Sequence, residues 1–197
     1  LGHFVLVNRL LGRLFLARQG RIVVVASRAA YRGAPSVGID FDDLGMSRNY
    51  SDSAAYGQSK LANVLFSLRL AELLRGTRIT SNSLHPGVIN TDIDRNLNPI
   101  TRFGFGLLTK LAGKTIAEGA ATSCHVATSE SLGSTSGHYF EDCNAITIAS
   151  LGHMHDKAMS EKLMRVSKDL TADYLVEQKR PDWSEFENGW PTKKDSD

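Results

Sequence analysis

The sequence predicts an α/β fold built on a parallel sheet, and three observations carry that prediction. Residues 1–17 place apolar side chains close to helical spacing (Leu1, Phe4, Val5, Leu6, Leu10, Leu11, Leu14 and Phe15), and Gln19-Gly20 ends the run. Arg21-Ile22-Val23-Val24-Val25-Ala26 follows at once. A short, continuous β-branched run of this kind suits a strand covered on both faces. Helix, tight turn and buried strand make half of a βαβ unit. The third observation is size: 197 residues, 42% of them hydrophobic and 22% charged, suit one soluble globular domain with a sizeable core.

The remaining elements follow in order. Residues 28–52 are polar and broken by Gly33, Pro35, Gly38 and Gly45, so they read as a long excursion. Within it, Ile39 to Leu44 forms either a short strand or a turn. A helix starts near Ser51, Asp52 or Ser53, any of which can cap it, and runs to about Leu74 with Gly76 as its stop. Its apolar residues spread over several faces, so it needs two covers, the sheet and a partner subunit. Arg78 to Leu84 is poor in strand formers. It is assigned as a strand because a glycine-stopped helix precedes it and Pro86-Gly87 follows. Residues 88–114, with Thr91, Pro99, Gly104, Gly106 and Gly113, have the profile of a flap over a site. Asp92 and Asp94 read as caps of a short helix within that flap. Thr115 and Glu118 form a capping box for a helix from Ile116 to Ser129. Gly137 to Phe140 reads as a short strand, and Leu151 to Gln178 as a charged helix. The expected domain is 1–178, with 179–197 an irregular tail.

Composition excludes several classes. A net charge of +2 leaves no nucleic-acid footprint. Cys124 and Cys143 have neither metal spacing nor a disulfide framework, which fits a reducing compartment such as the cytoplasm. No run reaches the roughly 18 apolar residues of a membrane span, and Arg9 and Arg13 interrupt the opening stretch. His153 and His155 lack a third ligand and read as a solvated helix start, so no metal site is expected. Cys124 reads as core.

The chemistry sits in Tyr56-Gly57-Gln58-Ser59-Lys60. Positions i and i+4 lie one above the other on a helix. A free phenol titrates at about 10, and an ammonium one turn away favours the phenolate. Such a pair can pass a proton to or from a carbonyl or alcohol oxygen. Alone the pattern is weak, because two such residues meet on many solvated helix faces. It gains weight from Ser27, at the end of the first strand, and Pro86-Gly87, at the end of the second. Carboxyl ends of neighbouring parallel strands are where open α/β sheets bind ligands.

On these residues the chain resembles the carboxyl-terminal two thirds of a short-chain dehydrogenase/reductase, in the retinol dehydrogenase-like and WW-domain-oxidoreductase-like branch. The matching pieces include Leu1-Gly2-His3-Phe4, the strand ending in Ser27, and Tyr56 through Asn63. His85-Pro86-Gly87-Val88-Ile89-Asn90-Thr91, Gly137 through Phe140, and Val166 through Leu170 match as well. The resemblance implies a doubly wound Rossmann sheet and NAD or NADP as cofactor. It implies that Ser27 polarises a substrate carbonyl, that Tyr56 is the general acid/base, and that Lys60 bonds the nicotinamide ribose. Pro86, Gly87, Val88 and Thr91 would hold the nicotinamide. The implied substrate is a small, lipophilic alcohol or carbonyl, retinoid- or steroid-like.

The pattern is incomplete: no G-x-x-x-G-x-G turn occurs in this sequence. The residue that would choose between the two dinucleotides, and the family's active-site asparagine, would lie upstream of Leu1. Two other readings compete. One is a truncated, non-catalytic relative that self-associates through the 1–17 and 53–74 helices; a homodimer by the same helices also fits the enzyme. The other, a Ser27/Lys60 hydrolase, lacks any nucleophile elbow around the serine.

Overall fold

The computed structural model describes residues 1–89, 113–149 and 151–175. Its elements are α1 (Gly2–Leu16), β1 (Gly20–Val25), α2 (Ala29–Arg32), α3 (Asp52–Leu73), β2 (Ile79–His85), α4 (Ile116–Thr128), β3 (Tyr139–Glu141), β4 (Asn144–Ile146) and α5 (Lys157–Leu170). Single 3-10 turns cover Glu130–Leu132 and Ala172–Leu175. The sheet order is β1-β2-β3-β4. β1 and β2 pair in parallel from Gly20 opposite Ile79 to Val25 opposite Leu84. β2 and β3 are also parallel, and β3 turns back antiparallel into β4.

Helices cover both faces of this sheet, as a doubly wound α/β fold requires. Ile22 and Val24 of β1 pack with Phe4, Leu11, Phe66 and Leu70 of α1 and α3. On the other face Leu84 and Phe140 pack against Val126 of α4, with Val23 beside them. β1 is therefore buried from both sides, which is why its sequence is a run of valines and not an alternation.

β2 shows why propensity failed there. Ile79-Thr80-Ser81-Asn82-Ser83-Leu84-His85 is buried along its whole length, and a central strand this polar survives only if its side chains are bonded. The Ser81 and Ser67 hydroxyls lie 3.0 Å apart. Asn82 donates to the Thr135 carbonyl at 2.7 Å and accepts from the His138 amide at 3.0 Å. Ser67, on the same side of its helix as Tyr56, Lys60 and Asn63 by helical spacing, is thereby a buried strut.

α3 is capped by Ser51, whose hydroxyl accepts from the Ala54 amide. It ends at Leu73, with Gly76 at φ +82 in the turn beyond. Part of its second cover comes from the chain itself. Leu61, Val64 and Leu65 share a core with Ala26, Ala30, Tyr139 and Met154, and Leu163 of α5 packs against it. The capping box of α4 is present in full.

Several expectations are corrected. α2 inside the 28–52 excursion and the β4 strand were not foreseen, and β4 adds an antiparallel edge to a sheet expected to be parallel. Of the two readings of residues 39–44, the turn is the one the structure has. The last helix starts at Lys157, six residues after Leu151, because Asp156 caps it through the Met159 amide at 2.8 Å. Cys124 is exposed, since α4 buries Gly119, Thr122 and Val126 on the opposite face. His153 is tied to the Ser36 carbonyl at 2.8 Å, not simply solvated. The expected flap (all but 88, 89, 113 and 114), with its Asp92 and Asp94 caps, and the 179–197 tail lie outside the described residues.

Candidate active site

The site is built where β1 and β2 end. Ala26 still donates to the Leu84 carbonyl at 2.7 Å, and the chain then leaves the sheet. Ser27 stands just past that point, with its hydroxyl oxygen accepting from the Ala29 amide at 3.2 Å. Because that bond uses an oxygen lone pair, the hydroxyl proton is left to donate outward. Next door, Pro86-Gly87 carries the chain off the end of β2. Exposed Val25 and Val88 add apolar surface at these strand ends.

α3 brings the other groups to the same edge. The Lys60 ammonium donates to the Val25 carbonyl at 3.5 Å, and the Asn63 amide to that carbonyl at 3.1 Å. Asn63 in turn meets the His3 ring at 3.0 Å. Tyr56 is 42% exposed, with the Lys60 nitrogen 5.6 Å from its ring centroid. Burial pushes the Lys60 pKa down, and among the described residues no carboxylate pairs with it. Gln58, buried behind this face, accepts from the Asp40 amide at 2.8 Å and donates to the Leu44 carbonyl at 3.3 Å, pinning the excursion.

Gly87 has φ +98, a backbone state that disfavours any side chain. A β-carbon there would also stand 2.6 Å from Cδ of Lys114. Lys114 returns to the edge through its amide bond to the Val88 carbonyl at 2.8 Å and its bridge to Ile89. Its ammonium pairs with Asp142. His85, 7% exposed, ends β2 behind Gly87, and burial pushes its pKa down.

Of the residues singled out from sequence, Ser27, Lys60, Pro86, Gly87 and Val88 cluster at the carboxyl edge of β1 and β2, with Tyr56 beside Lys60. Thr91 lies outside the described residues. Asn63, His85, Arg28 and Glu141 were not foreseen at the edge. Only the helical step from Tyr56 to Asn63 hinted at any of them. Among the described residues no group of three metal-ligating side chains occurs.

Two cavities are present, the first apart from these residues and the second reached by His3, Gln58 and Asn63. A basin of about 1120 Å³ sits at the opposite end of β1 and β2, lined by Arg18, Arg75 and Arg78 among others. An apolar cleft of about 280 Å³ opens between α1, α3 and α5, with Phe4, Met46, Phe66 and Leu163 in its wall.

The parts present fit a nicotinamide dinucleotide in kind. Lys60 offers a half-buried ammonium with one long bond, to the Val25 carbonyl at 3.5 Å, and Tyr56 a hydroxyl without a protein partner among the described residues, while the Lys114 stem lies against Gly87.

No protein-family model matches the chain. It is 39% identical over 170 residues to retinol dehydrogenase 14 of Homo sapiens, covering 85% of this chain and 49% of that one. It is 39% identical over 173 residues to retinol dehydrogenase 12 of Mus musculus, covering 86% and 51%. The chloroplastic short-chain dehydrogenase TIC 32 A of Brassica napus is 38% identical over 173 residues, with 83% and 52% covered. A crystal structure of an uncharacterised protein from Mycobacterium paratuberculosis superposes with a TM-score of 0.56 at 26% identity, covering 87% of this chain and 56% of that one. The chain thus spans about half the length of the curated relatives it matches. Over the residues it shares with them, this chain belongs to the short-chain dehydrogenase/reductase family, in its retinol dehydrogenase-like branch.

Proposed function

We propose that the protein is an oxidoreductase that moves hydride between NAD or NADP and the alcohol/carbonyl pair of a small lipophilic substrate of retinoid or steroid type. One observation carries the proposal: an exposed Tyr56 with Lys60 beside it, at the strand edge where Ser27 and Gly87 emerge. The dinucleotide, when bound, supplies or takes up the hydride. In the reducing direction Ser27 donates a hydrogen bond to the substrate oxygen, and Tyr56 passes its phenolic proton to that oxygen as the carbon gains hydride. The Lys60 cation stabilises the phenolate left behind, and its remaining protons bond the ribose. Pro86, Gly87, Val88 and Thr91 hold the nicotinamide. The names of the retinol dehydrogenases support the substrate class, and exposed Val25 and Val88 suit an apolar ligand.

The same reading pairs two copies through α1 and α3, because Leu6 and Leu10, one turn apart on α1, stand 57% and 48% exposed. Two free thiols, Cys124 and Cys143, suit a reducing compartment such as the cytoplasm. The decisive experiment offers the full-length protein a panel of lipophilic aldehydes and ketones, retinaldehyde among them, with NADH or NADPH. Oxidation of the reduced cofactor is followed for wild type and Tyr56→Phe. Matching rates for the two proteins would defeat the proposal.

A further inference from the structure

α2 is a single turn, too short to hold itself by its own hydrogen bonds, and its position is set at both ends by other parts of the molecule. At the first end, one carboxylate takes two of its side chains. The Arg28 guanidinium donates through Nε to Oε2 of Glu141 at 2.8 Å, and a second nitrogen reaches the same oxygen at 2.8 Å. The Tyr31 hydroxyl donates to Oε1 at 3.2 Å. Arg28 and Tyr31 are three residues apart, so they leave the turn on one side. Glu141 is itself anchored in the sheet: it ends β3, stands in register with His85 and has a side chain only 8% exposed.

At the other end the backbone of Gly33 and Ala34 lies against Gly57. A β-carbon on Gly57 would stand 2.2 Å from the Gly33 carbonyl carbon and 2.3 Å from the Ala34 nitrogen. Gly57 directly follows Tyr56. The 28–34 segment is thus a strut from the end of β3 to the residue beside the tyrosine. Ser27 is attached to it, because the Ser27 hydroxyl and carbonyl accept from the Ala29 and Ala30 amides at 3.2 and 3.0 Å.

We propose that Glu141 is a positioning residue, fixing α2 through Arg28 and Tyr31 so that the Ser27 hydroxyl keeps a set place relative to Tyr56. The inference rests on the reading of Ser27 and Tyr56 given above. A buried carboxylate is a poor way to gain stability, because its desolvation offsets much of what the ion pair returns. Two guanidinium nitrogens on one oxygen and a phenol on the other do define direction. Misplacing a polarising group by about 1 Å can cost about a hundredfold in rate.

The test uses the full-length protein and the variants Glu141→Gln and Arg28→Met, each alone and combined with Ser27→Ala. Turnover is measured together with amide exchange at Ala29 and Ala30. We expect kcat to fall about 10- to 100-fold for either single variant, with KM changed less than about threefold. In the Ser27→Ala background the further loss is under about twofold, since the group being positioned is gone. Exchange at Ala29 quickens about tenfold. The proposal is overturned if exchange at Ala29 is unchanged in folded variants, or if kcat falls by the same factor with and without Ser27. If wild type turns over no carbonyl at all, the dehydrogenase reading fails, and the exchange result alone decides whether Glu141 holds α2.

Discussion

Around Ser27 the polar groups have protein partners, whereas around Tyr56 they are left open. The serine oxygen accepts from Ala29, Arg28 and Tyr31 share Glu141, and Gln58 ties down the excursion behind them. The Tyr56 hydroxyl has no hydrogen-bond partner among the described residues, and the Lys60 ammonium has one long contact, at 3.5 Å. The difference matches what the proposed function asks of each side. A donor that polarises a carbonyl works best when it is already oriented, because no reorganisation is then needed as charge develops. A group that transfers a proton must meet its substrate directly, and a protein partner on its hydroxyl would compete. The held side therefore costs bonds to disturb, and the open side costs only rate.

The largest expected effect is on the open side. Tyr56→Phe lowers kcat by about 10² to 10⁴ and leaves the melting temperature nearly unchanged, because the lost hydroxyl bonds nothing described in the protein. A large melting shift would break the contrast. On the held side, Gly57→Ala drives a β-carbon into the Gly33 backbone. It should cost about 1–3 kcal/mol of stability in urea titration. A neutral result would show that α2 is free to move.

The next effect is pH dependence. His85 is buried, and the burial, followed by the Arg28 charge, pushes its pKa below the ordinary 6.5, with Glu141, Asp142 and Lys114 also facing it. The unfolded chain then binds a proton that the folded one refuses. Stability is complete above about 6.5 and falls as pH drops through that value toward the folded pKa, by at most about 1.4 kcal/mol per pH unit. His85→Gln should flatten that slope in denaturation curves taken between pH 7 and 5; an unchanged slope would assign it to other groups. The smallest effect separates two tyrosines. Tyr31→Phe strips a partner from a buried carboxylate and should cost about 1–1.5 kcal/mol. The Tyr139 hydroxyl is buried with no partner at hydrogen-bonding geometry among the described residues, although Glu141 lies near enough to add to the burial that raises its pKa, so Tyr139→Phe should stay within about 0.5 kcal/mol or stabilise. Equal costs for the two would show that Glu141 does not favour α2.

Much of the architecture could be read from local signals. The Val23–Val25 run, the Thr115–Glu118 capping box and the glycine stop after α3 are contained in a few neighbouring residues each, and the structure has all three. The candidate site was legible in outline for the same reason. Tyr56 and Lys60 are one turn apart, and Ser27 and Pro86-Gly87 each mark a strand end. β4 and α2 were not legible, because a three-residue strand and a one-turn helix carry no period; their neighbours hold them in place.

The βαβ alternation, the long helix behind Tyr56 and the residues proposed to move a proton could all be read before the chain is folded. Those depend on spacing, and spacing is written in the chain. Tertiary structure alone decided the partners. It set Glu141 against Arg28 across 113 positions and Asn63 beneath the Val25 carbonyl across 38. It also buried Ser67 against Ser81. Contacts over such separations exist only once the sheet has brought β1, β2 and β3 side by side. What holds the Ser27 side firm and leaves Tyr56 open was settled there.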